Sequence, residues 1–324
     1  MVELIKKLIC TPSVSGREDK IREVIINEIT PYASEITVDA IGNIIARKKG
    51  NGKRVMFCAH MDQIGFFVTF IDDNGLIKVS PIGGVSPLSA SYSEVVSESG
   101  VYGIMVPESA KDMPKIEDMY IDIGAKTKKQ AEKKVQIGDF FTPVPKIKRL
   151  MGQIYVGTPF DDRIGCAVLI EAMKQIKSEN DLYFVFSVQE EVGLRGSRPA
   201  AFTVAPDIGI ALDVTATGDK PGSPKMDVKL GKGCTIKIKD SSVISSPELV
   251  KQMREIANLE KIKFQNEILL RGGTDTASMQ TAGKGALASA ISIPTANIHT
   301  SCEMIDMGDV KEAVRLTCAL ANKL

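Results

Sequence analysis

The residues of this 324-residue sequence that could do chemistry stand at the ends of apolar segments. They are His60 and Asp62 after VMFCA, Glu190 and Glu191 after FVFSV, Asp213 after IGIAL, His299 beyond ISIP, and Asp161 and Asp162 at the start of a predicted helix. The group includes both histidines of the chain. In open α/β sheets, ligands bind at the carboxyl ends of the strands, so we expect these side chains to meet at one edge of a sheet.

Histidine and carboxylate side chains in this number indicate a metal site. Imidazole nitrogen and carboxylate oxygen bind zinc, and carboxylates also accept cobalt or manganese. Two imidazoles and three carboxylates exceed the needs of one tetrahedral catalytic zinc, and they suit two ions that share one carboxylate. The sequence therefore predicts two divalent metal ions, zinc, cobalt or manganese, held by the two histidines and three of these carboxylates.

Two further acids are predicted to support this chemistry. Asp62 follows His60 by two residues, and we expect it to hydrogen-bond the far nitrogen of the imidazole and fix its tautomer. Successive side chains of an extended chain point in opposite directions, so one of Glu190 and Glu191 can bind metal while the other faces substrate as a base. Like charge disfavours two adjacent buried glutamates unless a metal ion or a proton relieves it.

Each of these acids also has an ordinary interpretation when taken alone. Asp161 and Asp162 suit the N-terminus of a helix, and Glu190 with Glu191 suits a solvated strand end. The six cysteines are scattered singly and are interpreted as core residues. Cys302 lies three residues after His299, which leaves a Cys/His nucleophile pair as an open alternative.

The alternation of predicted strands and helices indicates an α/β fold. Strands are predicted at 35–39, 43–48, 54–60, 182–188, 207–214, 266–270 and 286–292, and helices at 162–177, 196–203, 246–259 and 309–322. The turn at 49–52 predicts a hairpin between the second and third strands. Residues 1–30 are predicted to be helical, with Ser15 and Glu18 as a capping box.

Residues 66–156 differ from the rest of the chain in their predicted secondary structure. Short strands punctuated by Gly, Ser and Pro replace the helix patterns, which predicts a β-rich module inserted into the larger fold. The predicted domains are thus 1–65 with 157–324, which carries the metal site, and the insertion at 66–156.

Composition excludes several partners. The chain has 41 basic and 40 acidic residues, so no net field favours nucleic acid or an anionic membrane. No apolar run approaches the roughly 18 residues needed to span a bilayer. The N-terminal segment lacks the apolar core of a signal peptide, so a cytoplasmic location is expected.

The motifs together resemble those of a known family. The strings AHMDQIGF, TPFDDRIGCAVLIE, VFSVQEEVGLRGS, ALDVTATGD, GGTDTASM and IPTANIH are similar to those of the co-catalytic metallo-aminopeptidases, which include glutamyl and deblocking aminopeptidases. The resemblance implies an α/β domain of the zinc-exopeptidase type, a mixed sheet with helices on both faces. It also implies that a small PDZ-like or barrel domain, used for dimerisation, interrupts this sheet.

The same resemblance implies roles for the individual residues. One metal would be held by His60, Asp161 and Asp213, and the second by Asp161, Glu191 and His299, with Asp161 bridging. Glu190 would be the general base, Asp62 would support His60, and the Asp161–Asp162 peptide bond would be cis. Relatives often carry an arginine before the last histidine and Ser-Pro after it, whereas this chain has Ala296-Asn297 and Thr300-Ser301 there.

The implied function is hydrolysis of the N-terminal residue of peptide substrates, with a metal-bridging water as nucleophile. Homo-oligomers are implied too, as dimers or as a tetrahedral dodecamer. A related metal-dependent deacylase remains an alternative, as do an endoglucanase, which needs two carboxyls and no metal, and a non-catalytic scaffold. The segment 271–279 is interpreted either as a wall of the substrate channel or as a plain turn, and the preferred N-terminal residue stays open.

Overall fold

The described residues form a mixed sheet of 11 strands and a separate closed barrel of six strands. This computed structural model describes residues 1–109 and 115–324. The predicted fold class is confirmed, because helices cover both faces of the large sheet and the barrel interrupts the chain that builds it.

Helices occur mostly in the residues that build the large sheet. They are α1 (Val2–Ile9), α2 (Asp19–Ile29), α3 (Pro87–Ala90), α4 (Lys128–Ala131), α5 (Arg163–Gln175), α6 (Ser197–Val204), α7 (Pro247–Leu259), α8 (Thr276–Thr281) and α9 (Met307–Lys323). In the part of the chain that the structure describes, no helix is long and apolar enough to cross a membrane.

The strands divide between the sheet and the barrel. The sheet contains β1 (Glu35–Val38), β2 (Ile44–Lys48), β3 (Arg54–His60), β10 (Lys146–Arg149), β11 (Ile154–Thr158), β12 (Asp181–Ser187), β13 (Ile208–Thr215), β14 (Cys234–Lys239), β15 (Phe264–Ile268), β16 (Leu287–Ala296) and β17 (Glu303–Asp306). The barrel contains β4 (Gly65–Ile71), β5 (Ile77–Ile82), β6 (Glu94–Ser97), β7 (Tyr102–Pro107), β8 (Met119–Asp122) and β9 (Phe140–Pro143).

Four neighbouring strands at the centre of the sheet, β12, β3, β13 and β16, run parallel. Side chains of β3 alternate between the two faces: Phe57 packs into the larger core beneath α5, and Met56 packs into the core beneath α6 and α8. Burial on both faces explains why these strands are nearly continuous apolar runs. It also means that their carboxyl ends open at one common edge.

The predicted hairpin of β2 with β3 is wrong. Strand β12 lies between them, antiparallel to β2 and parallel to β3. The turn at 49–52 instead packs on the segment before β12, where the amides of Asn51 and Gly52 both donate to the carbonyl of Glu179. A local turn signal cannot reveal that a strand distant in sequence will pair between its two flanks.

The barrel is shorter than the predicted insertion. It begins at Gly65 and its last strand ends at Pro143, whereas residues 146–149 and 154–158 pair with each other in the large sheet. Strand β11 also pairs with β17 near the C-terminus. The insertion predicted at 66–156 thus includes strand β10 and part of β11, which belong to the sheet, because the change of sheet leaves no composition signal.

The N-terminal region contains two helices rather than one continuous helix, and the predicted capping box is absent from them. Helix α2 starts at Asp19 without a side-chain cap, and Ser15 and Glu18 point elsewhere. The Ser15 hydroxyl donates to Asp62, and the Glu18 carboxylate accepts the amide of Gln189. Ser15 and Glu18 therefore connect the N-terminal segment to the edge of the sheet through hydrogen bonds.

Candidate metal centre

The carboxyl ends of the parallel strands bring the predicted ligands together. His60 is the last residue of β3 and pairs in register with Ser187, the last residue of β12. Glu190 and Glu191 follow that strand directly, and Asp213 lies near the end of β13. The loop after β16 carries the last predicted ligand of this edge, His299.

The Asp161 carboxylate lies between the two imidazoles. Its Oδ1 is 3.1 Å from Nε2 of His60, and its Oδ2 is 3.1 Å from Nε2 of His299. Each oxygen of one carboxylate thus faces a different histidine. This is the disposition that a carboxylate shared by two metal ions would need.

The remaining carboxylates divide between the two histidines. Asp213 Oδ1 is 3.9 Å from Nε2 of His60, whereas Glu191 Oε2 is 3.3 Å from Nε2 of His299. Glu190 Oε2 lies 3.9 Å from Nε2 of His60. We call His60 with Asp213 and Glu190 the His60 half, and His299 with Glu191 the His299 half. Asp161 is common to both.

Asp162 lies beside the His60 half, where His60, Asp162 and Asp213 offer ligand atoms within 4.8 Å of one another. Both oxygens of Asp162 accept backbone amides. Its Oδ1 accepts the amide of Gly165 at 3.0 Å and so caps helix α5, and its Oδ2 accepts the amide of His60 at 3.3 Å. The helix-cap interpretation therefore holds for Asp162 and not for Asp161. The peptide bond between the two aspartates is cis, as the family resemblance implies.

Burial and crowding shape the electrostatics of the centre. Burial raises the pKa of Asp213 and of Glu190 well above the usual range. Burial alone would lower the pKa of His299, but Asp161 and Glu191 raise it to about 12. The two histidines lower the pKa of Asp161 against the effect of burial. Burial and crowding thus disfavour the ionised form of the Asp213 and Glu190 carboxyl groups, and a bound cation would favour it.

The residues present fit divalent metal ions. In the described part of the chain, His60, Asp161 and Glu191 offer ligand atoms that lie within 4.8 Å of one another. Glu191 Oε1 is buried and has no hydrogen-bond partner among the described residues. A buried carboxylate oxygen without a partner is costly, and a bound cation would satisfy it. Nitrogen and oxygen donors in this mixture suit zinc, cobalt or manganese.

Asp62 contacts the far nitrogen of the His60 ring, and it also binds the backbone of the two glutamates. His60 Nδ1 is 3.2 Å from the carbonyl oxygen of Asp62 and 3.5 Å from its carboxylate Oδ1. The carboxylate accepts the amides of Glu190 at 3.0 Å and Glu191 at 3.2 Å, and the Ser15 hydroxyl at 2.6 Å. Asp62 therefore links three segments of the site.

Sequence reasoning did not assign Glu303 to the site. It is buried on β17, and its Oε2 accepts the amides of Phe160 at 2.5 Å and Asp161 at 3.4 Å. Its Oε1 accepts the amide of His299 at 3.0 Å. Burial, followed by the nearby charge of Asp161, raises the pKa of Glu303 to about 8. This one carboxyl group fixes the backbone at two predicted ligands.

Replacing Glu303 with glutamine should destabilise the protein. Both oxygens of Glu303 accept backbone amides, and a glutamine has only one oxygen acceptor. One buried amide would lose its partner, so we expect the free energy of unfolding to fall by about 1–3 kcal/mol in denaturant titration. Glu255→Gln, on the exposed face of α7, is the control and should stay within about 0.5 kcal/mol of wild type. An unchanged midpoint for Glu303→Gln would contradict this role.

Asp275 is a second buried carboxylate that the sequence did not single out for the site. It accepts the hydroxyls of Ser187 at 2.5 Å and Ser197 at 2.6 Å, and the thiol of Cys58 at 3.3 Å. These contacts join the ends of β3 and β12 to helix α6. The only signal in the sequence was its position in the GGTDTASM string.

A cleft of about 600 Å³ opens over the metal centre. Arg271, Gly272 and Gly273 line it together with the predicted ligands, so the start of the 271–279 segment is a wall of the cleft. Leu269 and Thr215 contribute further lining. A volume of this size is within the usual range of ligand-binding clefts.

The prediction that the cysteines are core residues is correct for some of them and wrong for others. Cys58, Cys166 and Cys234 are buried, as predicted, but Cys10 and Cys302 are exposed. Cys302 Sγ lies 3.6 Å from Nζ of Lys146, whereas the imidazole of His299 is directed at Asp161 and Glu191. The thiol and the imidazole thus point to different partners, and the geometry does not support a Cys/His nucleophile pair.

Comparison with known proteins adds independent findings. The family model of the M42 glutamyl aminopeptidases matches residues 42–316. A putative aminopeptidase of Acetivibrio thermocellus is 46% identical, over 98% of this chain and 97% of its own. The solved structure of aminopeptidase APDkam598 from Desulfurococcus kamchatkensis has a TM-score of 0.96 at 32% identity and covers 100% of this chain and 94% of its own. The TET1 peptidase of Pyrococcus horikoshii, described as assembling into a tetrahedron or a large octahedral shell, has a TM-score of 0.90 at 35% identity, with 100% and 99% covered.

Proposed function

Because the chain belongs to the M42 glutamyl aminopeptidase family and is therefore a metal-dependent aminopeptidase, we propose that it removes the N-terminal residue of peptides with two divalent ions and Glu190 as general base. The resemblance noted in the sequence motifs is confirmed by the family match. The observation that carries the two-ion proposal is the Asp161 carboxylate, whose two oxygens each lie 3.1 Å from a different imidazole nitrogen.

The two halves of the centre would each hold one ion. The first would be bound by His60, Asp213 and Asp161, and the second by His299, Glu191 and Asp161. When bound there, divalent ions supply Lewis acidity that polarises a peptide carbonyl and makes a water molecule more acidic. The crowding of buried carboxyl groups and the unpaired Glu191 oxygen support this occupancy.

We assign the proton transfer to Glu190. Its side chain lines the cleft, and its backbone amide is held by Asp62 at 3.0 Å. The carboxylate accepts a proton from the attacking water and donates it to the leaving amine. Glu191, the next residue, lies against His299 at 3.3 Å and is engaged in the other half of the centre. The two glutamates thereby take separate roles.

Release of only the first residue requires recognition of a free amino group. The α-ammonium group of a peptide is a cation, and the cleft over the centre is lined by the carboxyl groups of Glu190, Glu191 and Asp213. An ammonium group is stabilised beside them. Docking of the chain end there would place the first peptide bond at the base.

We also propose that the protein works as a homo-oligomer that uses the barrel as a contact surface. Large apolar side chains on the barrel are exposed, with Leu88 at 69%, Tyr92 at 63% and Tyr102 at 66%. Clusters of exposed apolar side chains favour association between proteins. The Pyrococcus horikoshii TET1 peptidase, which can assemble into a tetrahedron or a large octahedral shell, supports this proposal.

The test is hydrolysis of a panel of aminoacyl p-nitroanilides and short peptides, with added cobalt or zinc and with chelator. We expect metal-dependent release of N-terminal residues from peptides with a free amino group, and no cleavage of the same peptides after N-terminal acetylation. Cleavage restricted to acylated amino acids would replace the proposal with a deacylase. Chelator-resistant cleavage of a β-glucan would replace it with an endoglucanase.

A further inference from the structure

The two histidines of the centre are held by different parts of the molecule. His60 lies in the large sheet, and its Nδ1 faces the carbonyl oxygen of Asp62 at 3.2 Å. His299 lies in a loop with a positive φ of 62°, and its side chain is 29% exposed against 2% for His60. Nδ1 of His299 is 3.0 Å from the carbonyl oxygen of Gly84, which belongs to the barrel.

The contact comes from the turn that follows barrel strand β5. We call residues Gly83 and Gly84 the barrel turn. A Cβ at Gly84 would lie 3.1 Å from Nδ1 of His299, and a Cβ at Gly83 would lie 3.1 Å from Oε2 of Glu191. The φ of Gly83 is +73°, which favours glycine. Both glycines are therefore needed for the backbone to approach the His299 half this closely.

A third contact joins the same segment to the same histidine. The hydroxyl of Ser89, in helix α3, lies 3.3 Å from the carbonyl oxygen of His299 and shares its proton with the carbonyl oxygen of Ser86 at 2.9 Å. Barrel residues thus touch the ring and the backbone of His299, and they approach Glu191. The partners of the His60 ring, in contrast, are Asp62 and Asp161 together with Glu190 and Asp213 of the large sheet.

We propose that the barrel turn is a positioning element of the metal centre, setting the affinity of the His299 half for its ion and leaving the His60 half unchanged. The proposal rests on the two-ion function above. Donation of the Nδ1 proton to the Gly84 carbonyl fixes the tautomer that leaves Nε2 free to bind metal, and it fixes the plane of the ring. Outer partners of this kind typically change metal affinity by about 10- to 100-fold.

An important consequence is that the two ions differ in how they are retained. The His60 half is built at the edge of the large sheet, whereas the His299 half also has a hydrogen bond to the barrel. A shift of the barrel by a few tenths of an ångström would weaken the hydrogen bond to Nδ1. The ion of the His299 half is then the one released first when metal becomes scarce.

The experiment measures the binding of cobalt to the full-length protein, by calorimetry and by the visible absorption of the bound ion, in the wild type and in Gly84→Ala. We expect two binding events in the wild type. In Gly84→Ala one of them should weaken by about 10- to 100-fold while the other changes by less than about twofold. The double variant Gly84→Ala/His299→Ala should bind cobalt as His299→Ala does, which assigns the weakened event to the His299 half.

Two further variants serve as a control and as a second test. Gly100→Ala replaces a barrel glycine that has a φ of +84° and no atom within 4 Å of the added Cβ, so it strains the barrel without reaching the centre. It should keep both binding events. Ser89→Ala removes the hydroxyl bound to His299 without adding volume, and it should weaken the same event by a smaller factor. If Gly84→Ala does not fold, Ser89→Ala serves as the test of the proposal.

The outcomes separate the inference from the function on which it rests. Unchanged binding of both ions in folded Gly84→Ala, or equal weakening of both events, would overturn the role of the barrel turn. If Gly84→Ala does not fold, unchanged binding in Ser89→Ala would overturn it as well. A wild type that binds fewer than two ions, or binds two and cleaves no peptide, would overturn the proposed function instead.

Discussion

Replacing Glu190 with glutamine should lower kcat on an aminoacyl p-nitroanilide by about 10²- to 10⁴-fold while both metal ions stay bound. Glutamine keeps the shape of the side chain but cannot accept and return a proton at neutral pH. The backbone amide of residue 190 still donates to Asp62, so the loop should keep its place. Steady-state kinetics and metal content on the same preparation measure the two effects.

Glu248→Gln is the matched control for this loss. Glu248 is an exposed residue at the start of helix α7, away from the strand ends that carry the centre, and its replacement makes the same chemical change. We expect its kcat to equal that of the wild type. Turnover retained in Glu190→Gln would refute the base assignment. Loss of one ion together with activity would mean that Glu190 is a ligand instead.

Replacing Asp161 with asparagine should have the second large effect, and it acts through the metal ions. Both carboxylate oxygens face an imidazole nitrogen at 3.1 Å, and asparagine leaves a neutral oxygen on one side and an amide nitrogen on the other. An amide nitrogen cannot bind a cation. We expect the bound metal to fall from two ions to at most one, and kcat/KM to fall by about 10³-fold or more.

Metal analysis after dialysis, followed by kinetics with excess zinc or cobalt, tests this expectation. Asp207→Asn serves as control, because Asp207 is an exposed carboxylate paired with Lys284 at 3.2 Å on the opposite end of β13. That variant should bind both ions. Two ions bound with wild-type affinity in Asp161→Asn would show that the carboxylate is not shared.

The comparison between sequence and structure is informative at the sheet edge. Local position together with the family resemblance grouped His60, Asp161, Glu191, Asp213 and His299 from sequence. A polar residue that follows an apolar strand lies at the carboxyl end of that strand, and these ends share one edge where the strands run parallel. The structure brings all five together, and their roles as ligands remain a proposal.

The supporting residues could not be found in the same way. Ser15 and Glu18 satisfy a local capping pattern, yet the structure uses them on Asp62 and Gln189. Glu303 looked like one more acid in a C-terminal segment, although its carboxyl group holds the amides of Asp161 and His299. Partners of this kind lie more than a hundred residues apart or in different elements, and no periodicity records them.

Strand formation could be predicted from local sequence, whereas strand pairing could not. The strand at 54–60 was predicted from its apolar run, and it is observed as β3, Arg54–His60. Its predicted partner β2 is displaced by β12, which comes more than a hundred residues later. Local sequence determines whether a segment forms a strand, but the free energy that selects its neighbour comes from burial of both faces across the whole sheet.

The sequence by itself therefore determined the fold class, the family and the set of candidate ligands, because these depend on residue type and local pattern. Only the tertiary structure decided how the set divides, with Asp161 between two imidazoles and Gly84 behind one of them. Distances of about 3 Å between segments far apart in the chain arise from packing, which acts on the folded molecule as a whole. The geometry of the centre is for that reason a property of the fold.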